Sequence, residues 1–559
     1  MAKSKRARSR KRRTQPRPSL KREASTGSGG NREGGNDDAV MGLQESDGLV
    51  VPEGRRKSVP TANARGGKGT TDSEVMVQLD LFRETADSPG GGAPKAGLGQ
   101  PSPAREALLL SRTTKRTAPS AMTMEEVADE MNLRMAFLEV ASNKGAPGPD
   151  RQSIREVRAH LEELLPNLSR SLLEGAYRPG MIRRVWIPKA GGGQRGLGIP
   201  NVVDRLVQQA VHRVLGPHFE RTFHDGSHGF RPGRSCHTAI AAASEHLEAG
   251  CGWVVDIDLK NFFDRVHHQR LLARLECGGV DRQVLQLIGQ MLRAKVVLPD
   301  GLVVATEEGT PQGGPLSPLL SNIVLDELDW ELETRGLRFV RYADDCNVYL
   351  RSERAGRRVM ASLIRFIERR LRLSVNEDKS AVARPDTRHF VGFYLQRSRD
   401  GQAVVRLSKR SRQRINRRVV ELTRRSWGNS LDAAIKRINR YLKGWIGFFH
   451  VVGREEVFSL GVIDAHIRRR LRAIVLRQKK RRAHMVRWFF RKRHISLKQA
   501  RVDVYGYHRS LWALSITKSA NKGMSSYWFD SEGLLRLARL WRQKNAPPIA
   551  PAQLDLGLG

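Results

Sequence analysis

The sequence predicts an α+β protein that continues into an all-α region. Between residues 155 and 350, helical stretches alternate with β-rich runs such as WVVDIDL, RFVRY and CNVYL. This mixture is typical of α+β folds. Beyond about residue 407 the pattern changes to long basic helices, and residues 401–500 hold 28 Lys and Arg against five Asp and Glu. A separate helical domain is therefore predicted over residues 401–500.

Residues 1–122 are predicted to form a disordered basic extension. The opening MAKSKRARSRKRR is a block of charge, and the following segment is rich in Gly, Ser, Pro and Thr. Such a composition buries too little apolar surface to offset the entropy of ordering. Order is predicted from Thr123, because Thr123 and Glu126 have the spacing of a helix capping box. The remaining predicted units are 123–400, which contains the mixed α+β part, and a short C-terminal region, 501–559.

The charge of the chain indicates a polyanionic partner. It carries 98 Lys and Arg against 58 Asp and Glu, a formal net charge of +40. Nucleic acid is the first candidate for such a surplus, and its binding should weaken steeply with salt. No apolar run approaches the roughly 18 residues needed to span a bilayer, so no membrane partner is expected. Binding of a basic amphipathic helix to a membrane surface is the competing interpretation.

The four cysteines form no CxxC pair, which favours neither a zinc knuckle nor a disulfide framework. This usage fits a reducing compartment. The basic N-terminus is not followed by an apolar stretch, so no secretory signal is predicted. A cytoplasmic location follows as the prediction, with association with the nucleoid as a variant of it.

Two acidic segments predict a site for divalent cations. In RFVRYADDCNVYL, two β-prone runs flank adjacent carboxylates, Asp344 and Asp345, at the tip of a predicted hairpin. Upstream, the apolar strand WVVDIDL carries Asp256 and Asp258, which would face the same side. Carboxylates on an apolar strand are costly to bury unless a cation neutralises them, and Mg²⁺ prefers oxygen ligands. The pattern predicts the two-magnesium site of a nucleic-acid polymerase, with Mn²⁺ as a substitute.

These motifs resemble the reverse transcriptase/maturase proteins of bacterial group II introns. The resemblance runs from about Met124 to Leu476 and continues more weakly to about Leu540. RYADDC resembles the YADD box of the family, and DLKNFFD resembles its first palm motif. The resemblance implies a right-hand fingers–palm reverse transcriptase fold followed by a helical thumb/maturase domain. It also implies that Asp258, Asp344 and Asp345 are the catalytic metal ligands, that Asp258 is chosen over Asp256, and that Asp264 is structural.

Further motifs imply contacts with the nucleotide. IPKAGGGQRGLGIP resembles the fingers hairpin, and GTPQGGPLSPLLSN resembles the loop and helix that close over the nascent pair. Phe263 falls where the family places a bulky residue beneath the incoming sugar, as a gate against a 2′-hydroxyl; simple core packing is its alternative. The implied nucleotide-binding residues are Lys189, Arg195, Phe263, Gln312 and Lys379.

The remaining motifs imply contacts with RNA. HGFRPGRSCHTAI resembles the GFRP box, and residues 407–495 resemble the maturase or thumb domain. The implied template- and RNA-binding residues are Arg231, Arg234, Trp445, Arg468, Arg469 and Arg470. For Trp445, packing in the core is the favoured alternative. Since neither cysteine pairs nor an HNH-type segment follow this region, no homing endonuclease is expected.

The resemblance implies Mg²⁺-dependent addition of dNTPs to a DNA primer or target 3′-OH, with intron RNA as the template. It also implies that the protein binds its intron RNA as a splicing maturase. Three alternatives stay open. One is a host-adapted reverse transcriptase, for example in phage defence; another is a maturase acting only as an RNA-binding splicing factor. The third, a DNA-templated polymerase, agrees less well with the motif order.

Overall fold

The computed structural model describes residues 122–188, 194–424, 428, 430–506 and 510–546. The predicted basic extension lies outside the described residues, apart from Met122, as does the end of the chain from residue 547. Over the rest, the predicted α+β class with a helical C-terminal part is confirmed.

The mixed part of the chain extends to residue 407 and contains ten helices and ten strands among the residues described. Its helices are α1 (Met124–Ala128), α2 (Glu130–Ser142), α3 (Ile154–Ala159), α4 (Leu161–Leu173), α5 (Val202–Glu220), α6 (Cys236–Glu248), α7 (His268–Cys277), α8 (Arg282–Leu292), α9 (Ser317–Thr334) and α10 (Glu353–Phe366). Its strands are β1 (Ile182–Pro188), β2 (Gln194–Ile199), β3 (Trp253–Ile257), β4 (Val296–Val297), β5 (Val303–Val304), β6 (Arg338–Tyr342), β7 (Asp345–Leu350), β8 (Ala381–Ala383), β9 (Phe393–Arg397) and β10 (Ala403–Leu407).

Two four-stranded sheets organise this part. The central sheet has the order β6-β7-β3-β8, and β3 is antiparallel to both of its neighbours. The second sheet has the order β2-β1-β4-β5, and its β1–β2 pair is an antiparallel hairpin. The last two strands, β9 and β10, form a separate antiparallel pair. The central sheet is the element that brings the two acidic segments together.

Each face of the central sheet lies on a different core. Val255 and Ile257 belong to a core built with the N-terminal helices, whereas Val254 and Tyr349 belong to a core shared with α6 and the C-terminal helices. Because side chains alternate along a strand, Asp256 lies on the same face as Val254. Asp256 therefore faces the side of the sheet on which the C-terminal helices pack.

The helix predicted from Thr123 is present but divided. Thr123 caps α1, since its hydroxyl accepts from the Glu126 N–H at 3.4 Å. The chain leaves helical geometry at Asp129, whose carboxylate accepts from the Asn132 N–H at 2.8 Å and begins α2. An aspartate in mid-helix competes with the backbone for hydrogen bonds, which is why this position restarts the helix.

Helices fill the described chain beyond β10. They are α11 (Lys409–Leu422), α12 (Leu431–Phe449), α13 (Val457–Gln478), α14 (Arg482–Arg493), α15 (Leu497–Tyr505), α16 (Leu511–Leu514), α17 (Lys518–Gly523), α18 (Ser526–Ser531) and α19 (Leu537–Lys544). The helical part is longer than the predicted 401–500. The buried carboxylate of Asp464 on α13 accepts from the Leu537 and Ala538 N–H groups, at 2.8 and 3.2 Å, and fixes α19 against α13. Across the ranges described, none of the helices has both the length and the apolar character to cross a bilayer.

Candidate active site

The strand register brings the two acidic segments side by side. Strands β6 and β7 are joined by a two-residue turn of Ala343 and Asp344, because Tyr342 pairs with Asp345. Ile257 on β3 pairs with Cys346 on β7, so the next position along β3 sets Asp258 opposite Asp345. Directly opposed residues in antiparallel strands have Cα atoms about 4.5–5.5 Å apart. The two acidic segments thus form one carboxylate cluster, defined by Asp258, Asp344 and Asp345.

The backbone of Asp258 is fixed by the loop before β8. Its N–H donates to the Ser380 Oγ at 3.0 Å, and its carbonyl accepts from the Asn376 N–H at 2.8 Å. The same loop carries Lys379, whose Nζ lies 3.7 Å from the Asp258 Oδ2. Lys379, expected to neutralise pyrophosphate, therefore lies at the carboxylate cluster.

Asp256 has a different environment. The Arg388 guanidinium holds its Oδ2 through Nη2 at 2.6 Å and Nε at 2.7 Å. Burial raises the pKa of Asp256, and the charge of Arg388 opposes that rise. An arginine partner thus already balances the charge of Asp256, which supports the choice of Asp258 as the metal ligand.

Burial and neighbouring carboxylates raise the pKa of Asp344 and of Asp345. Burial raises the pKa of Asp345 well above its ordinary value, and the neighbouring carboxylates of Asp344, Asp256 and Asp258 raise it further. Burial also raises the pKa of Asp344, with a further contribution from Asp258. Like charges in a desolvated space disfavour ionisation. A bound cation would relieve this repulsion.

The donor chemistry of the cluster fits magnesium, which takes carboxylate oxygens together with waters and substrate phosphates. Over the described ranges, however, no group of three or more His, Cys, Asp or Glu side chains is arranged to hold a metal ion. The predicted triad is thus not a preformed three-carboxylate cage. Mg²⁺ commonly uses one or two carboxylates plus phosphates, so binding of this ion would not require all three carboxylates.

The predicted nucleotide loop is attached to the β1–β2 hairpin. The Arg195 Nε donates to the Gln312 side-chain oxygen at 2.8 Å, and the Gly198 N–H donates to the Gln312 carbonyl at 2.7 Å. Gly313 lies so close that an added Cβ would meet the Gly198 oxygen at 2.5 Å. The structure therefore brings Arg195 and Gln312 together, while Lys189 lies outside the described residues.

Phe263 is buried behind this loop. Its side chain is 8% exposed and packs edge-on against Phe262, and its carbonyl accepts from the Thr310 N–H at 2.6 Å. The ring belongs to the core beneath the central sheet. The buried ring agrees with the interpretation of Phe263 as a core residue. The backbone bond to Thr310, near Gln312, agrees with its interpretation as a gate.

The arginines of the GFRP box are engaged within the protein. Arg231 is buried, pairs with Glu220 at 2.8 Å, and donates to the carbonyls of His224 and Ser227. Arg234 is half-buried and pairs with Asp225 at 2.6 Å. The template contact predicted for Arg231 does not fit this buried position, and Arg231 stabilises the loop instead.

The predicted RNA-binding residues of the helical part are mostly turned inward. Trp445 is 6% exposed and stacks on Phe449, so it packs in the core and offers no surface for a base. Arg470 donates to Thr423, and Arg469 lies 3.9 Å from the centre of the Trp512 ring. Arg468 is half-buried near Asp464. Arg469 and Arg470 thus join α13 to its neighbours, and Arg468 lies beside a carboxylate of its own helix, so the three arginines do not form one open surface for RNA.

A basic stripe that no sequence motif indicated lies on α11. Arg410, Arg414 and Arg417 are exposed at a spacing of four and three residues, so they share one face of the helix. Arg410 interacts electrostatically with Asp256 and Asp345, which places the start of this basic stripe at the carboxylate cluster. The signal in the sequence is the helical spacing of arginines in KRSRQRINRRVV.

The acidic turn packs against the GFRP box at a glycine. An added Cβ at Gly229 would lie 2.2 Å from the Ala343 backbone nitrogen. We expect Gly229→Ala to lower the free energy of unfolding by about 1–3 kcal/mol, because a backbone atom has to move. Chemical denaturation measures this. Gly461→Ala is the control, since nothing lies within 4 Å of its added Cβ, and an equal effect of the two substitutions would contradict the packing described.

Two family profiles match the chain in tandem. The profile described as reverse transcriptase (RNA-dependent DNA polymerase) matches residues 187–395, which include the carboxylate cluster. The profile described as group II intron, maturase-specific domain, matches residues 412–494, from α11 to the end of α14. The chain belongs to the group II intron reverse transcriptase/maturase family. The central sheet is accordingly the palm of this fold, and the β1–β2 hairpin belongs to its fingers.

Similar proteins match the chain over part of their length. Protein YkfC of Escherichia coli K12 is 42% identical over 203 residues, which cover 35% of this chain and 53% of YkfC. The group II intron-encoded protein LtrA of Lactococcus lactis subsp. cremoris is 40% identical over 198 residues, 35% of this chain and 32% of LtrA. The matches therefore span about half of YkfC and about a third of LtrA.

Among solved structures, telomerase from Candida albicans in complex with a TWJ fragment of telomeric RNA is 13% identical. The match covers 61% of this chain and 67% of that chain, with a TM-score of 0.33. A score of this size does not define a shared fold, and the assignment to the group II intron family rests on the sequence matches.

Proposed function

We propose that the chain is an RNA-directed DNA polymerase of a group II intron, which extends a DNA primer or target 3′-OH with dNTPs on an intron RNA template. The observation that carries the proposal is the register that sets Asp258 opposite Asp345 beside the Asp344 turn. Carboxylates from two strands at one edge of a palm sheet suit the binding of divalent cations beside a reacting phosphate.

In this proposal Asp258 and Asp344 hold Mg²⁺, or Mn²⁺ in its place, with Asp345 completing the charge of the cluster. Two bound ions would activate the primer hydroxyl, orient the triphosphate and stabilise the leaving pyrophosphate. Lys379 would neutralise negative charge that develops on the phosphates, and its Nζ, 3.7 Å from the Asp258 Oδ2, supports this role. Arg195 would bind the triphosphate through charge-assisted hydrogen bonds, and Gln312 would contact the nucleotide.

The proposal is tested by replacing Asp344 and Asp345 together with alanine. We expect primer extension on an RNA template in Mg²⁺ to vanish, while the affinity for intron RNA and any assistance to splicing persist. Normal extension by the double variant would contradict the assignment of the site. Retained splicing assistance alongside a wild-type chain that never extends primers would favour the alternative of an RNA-binding maturase without polymerase activity.

If Phe263 acts as the gate, Phe263→Val should allow the incorporation of ribonucleotides. The smaller side chain leaves room for a 2′-hydroxyl, and we expect the preference for dNTP over rNTP, as a ratio of kcat/KM, to fall by about 10- to 100-fold. Single-nucleotide incorporation kinetics with dCTP and CTP measure this ratio. The control is Phe262→Val, its buried neighbour. An unchanged ratio in Phe263→Val would leave Phe263 as a core residue only.

Maturase activity is proposed as binding of intron RNA by the basic helical part. The support is the charge of residues 401–500 together with the exposed basic stripe on α11. Phosphates are recognised by such stripes without base contacts, and each neutralised phosphate releases counterions. The chemistry of the stripe suits a duplex or structured RNA that passes the carboxylate cluster.

Removing part of the stripe should reduce the salt dependence of binding. For Arg414→Gln with Arg417→Gln, we expect the slope of log K against log salt to fall by about 2, because two phosphate contacts are lost. Arg354→Gln with Arg358→Gln is the matched control, since both are exposed on α10, which packs on the opposite face of the palm sheet. Equal slopes for the two double variants would exclude α11 as an RNA-binding surface.

A further inference from the structure

The guanidinium of Arg341 lies fully buried beneath the acidic turn. Its side chain is 0% exposed, and it forms a two-pronged ion pair with the equally buried Asp329 on α9, where the Nε–Oδ1 distance is 2.7 Å. Burial lowers the pKa of Arg341, but the charge of Asp329, its hydrogen bonds and other nearby acidic groups together raise this pKa above its ordinary value. The residue is therefore charged, and the ion pair compensates the charge inside the palm.

The remaining donors of Arg341 reach the turn and its surroundings. Nη1 donates to the Ala343 carbonyl at 2.9 Å and to the Asn322 Oδ1 at 3.0 Å, and Nη2 donates to the Ser227 Oγ at 2.7 Å. Asn322 in turn donates to the Gly229 carbonyl at 2.8 Å. One side chain thus joins three family motifs: the YADD turn, the GFRP box and the helix that follows the GTPQGG loop.

The turn needs such support because of its backbone. Ala343 has a φ of +56°, a left-handed conformation that is unfavourable for a residue with a Cβ. The bond from Arg341 ends on the carbonyl of this residue, which shares a peptide unit with the N–H of Asp344. The planar guanidinium of arginine can donate to a carbonyl and a carboxylate at once, whereas the ammonium group of lysine cannot reproduce that geometry.

We infer that Arg341 is a positioning residue for the carboxylate cluster: it sets the orientation of the Asp344 peptide, and through it the placement of the carboxylates that would hold the metal. The inference rests on the proposed function. It differs from a purely structural role, because a structural role predicts loss of stability alone, with metal affinity and turnover unchanged in the molecules that remain folded.

The test is Arg341→Lys in the full chain, with Arg274→Lys as the matched control. Arg274 also pairs with a buried carboxylate of α9, Asp326, at 2.8 Å, and no bond links it to the turn. Both variants should unfold at lower temperature than the wild type. Mn²⁺ affinity, measured by electron paramagnetic resonance of the free ion, and the steady-state constants for dNTP are then compared well below both unfolding midpoints.

For Arg341→Lys we expect the dissociation constant of Mn²⁺ to rise about tenfold and kcat to fall about a hundredfold, with KM for dNTP changed less than about threefold. Arg274→Lys should leave all three within about twofold. If Arg341→Lys does not fold, Ser227→Ala, which removes a single bond to Arg341, should change the same constants in the same direction. Wild-type constants in the folded variant would overturn the positioning role.

The outcomes also separate this inference from the proposed function. A wild-type chain that binds Mn²⁺ at the cluster without extending primers contradicts the polymerase proposal, and the Mn²⁺ comparison still decides the role of Arg341. A wild-type chain that neither binds Mn²⁺ nor extends primers contradicts both.

Discussion

Asp258→Asn should abolish RNA-templated DNA synthesis, with kcat at least about a thousandfold below the wild type. The substitution keeps the size of the side chain and removes the charge that would bind the cation. The backbone bonds to Ser380 and Asn376 do not depend on the side chain, so the fold should persist. Single-turnover primer extension under saturating Mg²⁺ measures the effect.

Asp256→Asn is the matched control for this experiment. Asp256 lies on β3, two residues before Asp258, and Arg388 already engages its carboxylate. We expect synthesis to fall by less than about tenfold in this variant, since Asp256 is not assigned to the metal. A larger loss in Asp256→Asn than in Asp258→Asn would mean that the wrong aspartate of the strand has been assigned to the metal.

The largest effect on stability should come from Asp329→Ala. This substitution leaves the Arg341 charge at 0% exposure without its carboxylate partner. Removing one member of a buried ion pair costs about 3–5 kcal/mol, because the remaining charge is uncompensated. Chemical denaturation of the variant and the wild type would show this as a lowered midpoint, with the slope m unchanged.

Asp432→Ala provides the comparison for that experiment. Asp432 pairs with Lys436 one helical turn away at 2.9 Å, and both side chains are largely exposed. Exposed pairs of this kind contribute about 0.3–0.5 kcal/mol. Similar losses for Asp329→Ala and Asp432→Ala would show that the Arg341–Asp329 pair is not desolvated as described.

Much of the palm could be predicted from the sequence. Alternation of apolar residues in WVVDIDL and the β-prone runs around YADD gave the right strands, since period-two patterns reflect burial on a sheet. The residue pattern alone does not predict that Asp258 lies beside Asp345, because their segments are far apart in the chain. Residue spacing does not determine which strands pair, and the resemblance to the group II intron family supplied that expectation.

Sequence patterns did not predict the burial and the partners of several arginine side chains, because these depend on tertiary packing. Arg341 looks like an ordinary strand residue, and only the approach of α9 makes it a buried partner of Asp329. Arg468, Arg469 and Arg470 form a basic run that suggests a surface for RNA, yet Thr423 and Trp512 contact two of them. Helical periodicity identifies a face of a helix without saying which neighbour packs on it.

The most direct test of the central claim is a structure of the full chain bound to an RNA–DNA hybrid, a non-hydrolysable dNTP analogue and Mn²⁺. We predict anomalous scattering peaks about 2.0–2.2 Å from carboxylate oxygens of Asp258 and Asp344, beside the primer 3′ end. Mn²⁺ bound elsewhere, or a primer end held away from these two carboxylates, would contradict the assignment of this site as the polymerase active site.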